Sequence, residues 1–147
     1  MFRSFMPLAL DAARAAAARG EVPVGAVISR GDEAIAVEGN RMREQGDPTG
    51  HAEMLAIRAA CAALGVSRLS GCAIWVTLEP CAMCAGAIAH ARLDRLHFGA
   101  ADPKSGGVLH GARVFSHPQA HHRPEIHDGI DAEASASLLR DFFEGRR

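Results

Sequence analysis

The sequence has almost no net charge, and it contains no long apolar run. Across 147 residues, 16 lysines and arginines oppose 17 acidic residues, so no overall field indicates a nucleic-acid partner. No stretch approaches 18 consecutive apolar residues, which argues against a membrane-spanning helix. Charged residues also interrupt the N-terminal region where a signal peptide would have its apolar core. We therefore expect a cytoplasmic protein, folded as a single domain over residues 1–147, without membrane association.

Acidic residues are scarce in one part of the chain, and lysine is scarce throughout it. Lys104 is the only lysine, against 15 arginines. Between residues 86 and 123, five cationic residues and two acidic ones leave a formal charge of +3, and six of the eight histidines lie there. Arginine suits bidentate phosphate contacts, so this segment weakly favours a polyanionic partner. Compositional bias with solvated charged faces explains the same pattern.

Helical and extended patterns alternate along the chain. We expect helices at 12–18, 51–64, 81–91 and 132–143, and strands at 22–29, 33–38, 73–78 and 95–99. Gly31 and Asp32 have hairpin-turn chemistry between the first two strands. Residues 101–124 are rich in glycine and proline and are predicted to be mostly loop. The alternation predicts an α/β domain with helices on both faces of one sheet, and the initial hairpin makes that sheet mixed.

The most specific pattern pairs His51-Ala52-Glu53 with Pro80-Cys81-Ala82-Met83-Cys84. Cys81 and Cys84 are three residues apart in the first turn of a predicted helix, so both sulfurs share one face. The helix N-terminus favours thiolates. Two thiolates and one imidazole form a donor set that zinc prefers. Two helix starts that face each other would bring these three ligands together.

Three alternatives compete with a catalytic zinc site. A structural site would need a fourth protein ligand, but Cys61 lies roughly 15 Å along its helix from His51, and Cys72 should lie at the far end of a strand. A thioredoxin-like redox pair would explain the two cysteines, but it would not need His-x-Glu upstream. Glu53 alone resembles an ordinary first-turn helix acid. We therefore favour an open zinc site with Glu53 beside it.

His-x-Glu followed by Pro-Cys-x-x-Cys is the signature of the zinc nucleobase deaminases. Beyond this signature, the chain resembles the bacterial tRNA-specific adenosine deaminase family, within the cytidine deaminase-like superfamily, from about residue 6 to residue 147. The resembling stretches are residues 21–27, 40–41, 47–53, 76–87, 98–100, 102–107 and 141–143. The resemblance implies a three-layer α/β/α cytidine deaminase-like fold around a mixed five-stranded sheet.

The resemblance also assigns roles to individual residues. It implies that His51, Cys81 and Cys84 bind one zinc ion per chain and that Glu53 shuttles protons.

The resemblance further implies substrate contacts, with Asn40 at the base, Asp102 and Lys104 at flanking nucleotides, and Phe142 and Phe143 near the RNA loop. The two phenylalanines are equally well explained by packing at a helix end. Gly145 is expected to end the last helix before Arg146 and Arg147, which leaves the role of these two arginines open.

The implied activity is hydrolytic deamination of adenosine to inosine at the wobble position of a tRNA anticodon, by a homodimer bound to the anticodon stem-loop. Two alternatives remain at this point. The same zinc motif would serve a free nucleobase or nucleoside deaminase of cytosine, guanine or cytidine type. A zinc-stabilised binding module without turnover would also contain the ligands.

Overall fold

A computed structural model describes residues 3–145 of the chain. Within this range the helices are α1 (Met6–Ala18), α2 (Met42–Gln45), α3 (Ala52–Leu64), α4 (Ala82–Ala91) and α5 (Ala132–Glu144). The strands are β1 (Gly25–Arg30), β2 (Glu33–Gly39), β3 (Ala73–Leu78), β4 (Arg95–Ala100) and β5 (Glu125–His127), and a single 3₁₀ turn covers Val114–Ser116. None of these helices has the length and hydropathy needed to cross a bilayer.

The five strands form one mixed sheet in the order β2-β1-β3-β4-β5. Strand β1 is antiparallel to both β2 and β3, whereas β3, β4 and β5 are mutually parallel. The predicted hairpin and the mixed sheet are confirmed. Because β1 runs opposite to both of its neighbours, β2, β3 and β4 all end at the same edge of the sheet.

Helices cover both faces of the sheet, as the three-layer prediction requires. Side chains alternate in direction along a strand. In β1, Ala26 and Ile28 therefore pack with the α3 and α4 side, whereas Val27 packs with α1 and α5. Trp75 in β3 lies on the same side as Val27. The alanine-rich α1 lies very close to the sheet, since a Cβ at Gly25 would overlap the carbonyl oxygen of Ala9.

Two predicted boundaries need correction. The first strand was expected at 22–29 but begins at Gly25, because Pro23 has no N–H for the sheet and Val24 N–H bonds back to the carbonyl of Val22. The first helix was expected from residue 12 but begins at Met6, with Pro7 in its first turn, where the missing N–H costs nothing. The remaining predicted helices and strands agree with the structure to within about two residues.

Candidate active site

Several of the predicted functional side chains lie where β2, β3 and β4 end at a common edge of the sheet. Asn40 follows β2, Cys81 follows β3 after a two-residue connection, and Asp102 follows β4. His51 is the N-cap residue of α3, and Cys81 is the N-cap residue of α4. The two helices therefore begin at this edge and point their N-termini toward it.

The three predicted metal ligands lie together in the structure. The donor atoms of His51, Cys81 and Cys84 all lie within 4.8 Å of one another, and among residues 3–145 no other histidine, cysteine or carboxylate group forms such a cluster. His51 Nδ1 lies 3.6 Å from Cys81 Sγ and 3.5 Å from Cys84 Sγ. Tetrahedral zinc with ordinary Zn–N and Zn–S bonds would hold nitrogen and sulfur about 3.6 Å apart. The donor set therefore fits zinc in both chemistry and spacing.

The two thiols differ in acidity because they interact with each other. A hydrogen bond from Cys84 stabilises the Cys81 thiolate and, with a further contribution from His51, lowers the pKa of Cys81 to about 4. The same interaction and burial raise the pKa of Cys84. A bound cation deprotonates a coordinating thiol outright, so both sulfurs would be thiolates in a metal-loaded site.

Glu53 lies in the first turn of α3, two residues after His51, and is only 4% exposed. Burial is the main reason that the pKa of its carboxyl group is raised to about 7. The side chain lines the same cavity as His51 and Cys81. A carboxyl group in this position can both accept and donate a proton near neutral pH.

Asn40 joins two segments of the site through its amide side chain. Its Oδ1 accepts a hydrogen bond from the N–H of Ala52 at 2.8 Å, and its Nδ2 donates to the carbonyl of Val22 at 3.2 Å. The first of these bonds satisfies a backbone N–H in the first turn of α3. Asn40 thus holds the helix start that carries His51 and Glu53.

The site opens into a cavity of about 200 Å³. Its lining residues are Val22, Val24, Asn40, Met42, His51, Glu53, Leu78, Glu79, Cys81, Asp102 and Ser105. Six of them had no role predicted from the sequence: Val22, Val24, Met42, Leu78, Glu79 and Ser105. All but Met42, which lies on the four-residue helix α2, belong to stretches that resemble the deaminase family, and that resemblance is the signal that could have found them.

The other predicted residues lie outside this cavity. Lys104 is exposed on the loop that carries Asp102, and its backbone N–H donates to Asp102 Oδ1. Phe143 is 53% exposed near the end of α5 and packs edge-on against Phe142. The RNA contacts of these two residues stay predictions. Cys61 and Cys72 lie outside the ligand cluster, as expected. Arg146 and Arg147 lie outside the described residues.

Comparison with known proteins gives consistent matches. Residues 2–147 match the MafB19-like deaminase family. The tRNA-specific adenosine deaminase of Agrobacterium fabrum is 52% identical over 143 residues, covering 97% of this chain and 94% of that protein. A solved structure from studies of A-to-I editing by tRNA:A34 deaminases at the wobble position superposes with a TM-score of 0.91 at 52% identity, covering 92% of this chain and 98% of that one. A guanine deaminase from Bacillus subtilis superposes with a TM-score of 0.64 at 39% identity, covering 66% of this chain and 62% of that one.

Proposed function

We propose that this chain, which belongs to the MafB19-like deaminase family and to the tRNA-specific adenosine deaminases, converts adenosine to inosine at the wobble position of a tRNA anticodon. The observation that carries the proposal is that Glu53 lines the same cavity as His51 and Cys81, two of the three clustered donors. Full-length similarity to tRNA-specific adenosine deaminases supports the choice of substrate. A single domain over residues 1–147 would perform the reaction.

His51, Cys81 and Cys84 are the residues that would hold one zinc ion per chain. Three protein ligands are typical of catalytic zinc, whereas structural zinc has four. When bound, the ion would act as a Lewis acid that makes a water molecule nucleophilic at neutral pH. Two thiolates and a neutral imidazole leave zinc formally uncharged, so its acidifying effect is weaker than in a site with three histidines. A nearby general base is therefore required.

Glu53 supplies that base. Its carboxylate accepts a proton from the attacking water while the water oxygen forms a bond to the carbon that bears the exocyclic amine of adenine. Glu53 delivers this proton to the neighbouring ring nitrogen. It then takes the second proton from the hydroxyl group now bonded to that carbon and passes it to the departing amine. The carbon–nitrogen bond breaks, ammonia leaves, and the base becomes hypoxanthine. Water and adenosine are consumed, and inosine and ammonia are formed.

The cavity would receive one base flipped out of the RNA. A base in an anticodon loop is already partly unstacked, so the cost of moving it into a pocket is small. Asn40 Nδ2 gives one hydrogen to Val22, and we assign its second hydrogen to the bound base. Asp102 and Lys104, on the loop beside the cavity, would contact the flanking nucleotides, and Phe142 and Phe143 would lie near the RNA loop.

The proposal includes the working form and the location of the protein. We propose a homodimer, because this is the form that the family resemblance implies. We place the protein in the cytoplasm, where tRNA anticodons are available to a modifying enzyme. Sedimentation analysis of the purified protein tests the first point, since a monomer at micromolar concentration would contradict it.

Ammonia release tests the substrate. The purified zinc-loaded protein is incubated with an anticodon stem-loop that has adenosine at the wobble position, and with a matched stem-loop that has guanosine there. Separate reactions contain free adenosine, guanine, cytosine and cytidine. We expect ammonia and inosine from the first stem-loop alone. Release from free guanine or another free base, with none from the stem-loop, would instead establish a free-base deaminase, the alternative that the guanine deaminase similarity favours.

A further inference from the structure

Glu79 is a buried carboxylate for which the proposed reaction has no role. It follows β3 and lies two residues before Cys81, and its side chain has no exposed surface. Burying a carboxylate is costly unless hydrogen bonds replace its water. The partners of Glu79 therefore indicate what the residue does.

Within residues 3–145, every hydrogen-bond partner of this carboxylate belongs to one loop, residues 102–110. The backbone N–H of Asp102 donates to Oε1 at 3.0 Å. The N–H groups of Val108, Leu109 and His110 donate to Oε2 at 2.9–3.1 Å. The imidazole of His110 contacts Oε1 through Nδ1 at 2.8 Å. Because backbone N–H groups only donate, the site requires an acceptor at both oxygens, which an ionised carboxylate provides and an amide does not.

Two glycines let the loop approach this closely. A Cβ at Gly106 would lie 2.5 Å from Glu79 Oε2, and a Cβ at Gly107 would lie 2.5 Å from the backbone nitrogen of Ala82 in the first turn of α4. Gly107 N–H also donates to the carbonyl of Pro80 at 2.8 Å. The loop is therefore packed against the segment that begins the Cys81 helix.

The same loop forms one wall of the cavity, since Asp102 and Ser105 line it. An irregular loop without these hydrogen bonds would sample many conformations, and most of them would not present Asp102 and Ser105 to the cavity. The carboxylate of Glu79 connects the end of β3 to this wall through five of its contacts. Hydrogen bonds to a charged group are stronger than those between neutral groups.

We infer that Glu79 is a positioning residue whose carboxylate holds the 102–110 loop in the conformation that receives substrate. The kinetic consequence rests on the proposed function, whereas the structural one does not. If the loop is competent for only a fraction of the time, the apparent affinity for substrate falls by that fraction. His51, Glu53, Cys81 and Cys84 lie outside this loop, and their positions should not change with it. Once substrate is bound the reaction is therefore unaffected, and KM should rise much more than kcat falls.

Amide hydrogen exchange of the zinc-loaded Glu79→Gln variant tests the structural part directly. Glutamine keeps one acceptor oxygen and presents N–H at the other position. In either orientation at least one of the amides of Asp102, Val108, Leu109 and His110 therefore loses its acceptor, and we expect it to exchange at least about tenfold faster. Amides in the centre of the sheet, such as those of Val27 and Val76, should be unaffected. Glu133→Gln is the matched control, because it removes the same charge from an exposed position in the first turn of α5.

Kinetics on the adenosine stem-loop test the second part. Glu79→Gln should keep its zinc and raise KM about tenfold or more, with kcat changed much less, as expected for loss of binding alone. A general folding defect would instead lower zinc content and kcat together. If the wild-type protein does not act on the stem-loop, the proposed function fails, but the exchange comparison still decides the role of Glu79.

Gly106→Ala provides a second route to the same displacement without changing the carboxylate. Its methyl group would push the loop away from Glu79, so it should reproduce the faster exchange and the higher KM. Gly86→Ala is the control, since a Cβ there meets no atom within 4 Å. If Glu79→Gln does not fold, Gly106→Ala decides the question. Unchanged exchange of the four loop amides in whichever of these variants folds would overturn the inference.

Discussion

Asn40 Oδ1 accepts the backbone N–H of Ala52 at 2.8 Å, so the residue that follows β2 fixes the start of the helix that carries His51 and Glu53. Both residues are buried, with Asn40 7% and Ala52 0% exposed. Water cannot easily replace this acceptor if the side chain is removed. Asn40 therefore contributes to the position of His51, the proposed metal ligand, and of Glu53, the proposed proton shuttle, as well as to the proposed base contact.

Asn40→Ala should lower the free energy of unfolding by about 1–3 kcal/mol, because the N–H of Ala52 would remain buried without its acceptor. Urea denaturation of the zinc-loaded protein measures this. Asn40→Asp keeps an acceptor for Ala52, and it should keep the α3 start in place while losing the donor to Val22. A change below about 0.5 kcal/mol in the alanine variant would show that the site does not depend on this hydrogen bond.

The four cysteines should separate into two pairs when each is replaced by serine. Cys81→Ser and Cys84→Ser each remove one of the three proposed zinc ligands, so the zinc content should fall well below one ion per chain. Cys61→Ser and Cys72→Ser lie outside the ligand cluster and should retain zinc. Metal analysis of the purified variants measures the content. Loss of zinc from either of the latter two would indicate a closed, structural site.

Glu53→Gln preserves the shape of the side chain and removes its ability to accept a proton. Turnover on the stem-loop should fall by about 10²–10⁴-fold, the usual contribution of general acid–base catalysis. Zinc content and RNA affinity should persist, which equilibrium binding can check. A glutamine variant with a near-normal rate would show that zinc alone activates the water sufficiently and that our charge argument is wrong.

Residue type and helix position were sufficient to predict that the side chains of His51, Cys81 and Cys84 lie together. The three residues occur at helix starts, where spacing along one turn fixes the relative directions of the two cysteines. That they bind zinc stays a prediction. The role of Glu79 could not be predicted in the same way, because its partners are mainly backbone N–H groups that any loop sequence supplies. Strand β5 was missed because three residues at a sheet edge have too little periodicity to distinguish them from a loop.

His97 provides a pH-dependent contribution to stability far from the zinc ligands. It is 3% exposed and stacks between the rings of Trp75 and His127, with centroid distances of 3.8 and 4.9 Å. Burial is the main reason that the pKa of His97 is lowered to about 4. The nearby His127 and Arg95 lower this pKa further, whereas Glu125 raises it. Arg3, Asp32 and Asp128 line the cavities next to it.

An unfolded chain binds a proton at this histidine below pH about 6.5, whereas the folded chain resists protonation until pH about 4. The unfolded state therefore gains more protons in this window, and the free energy of unfolding should fall as the pH drops, by at most about 1.4 kcal/mol per pH unit from this group. Denaturation from pH 7 to pH 4 measures the slope. His97→Phe keeps a flat ring without titrating, so its slope should be shallower, and equal slopes would contradict the assignment.

Salt dependence distinguishes an RNA substrate from a free base, because only the RNA brings phosphates. Each phosphate neutralised on a single strand contributes about −0.7 to the slope of log affinity against log salt concentration. With a net charge of −1, the protein should make few such contacts, and roughly two to four would give a slope of about −1.5 to −3.

Lys104 is exposed on the loop beside the cavity, so Lys104→Ala should weaken stem-loop binding and flatten the slope by less than about one unit. Arg14→Ala is the matched control, since Arg14 is exposed on α1, on the opposite face of the sheet from α3 and α4, and should change neither value. Binding that is absent, or that does not respond to salt between low and physiological concentrations, would exclude the tRNA substrate and favour a free base.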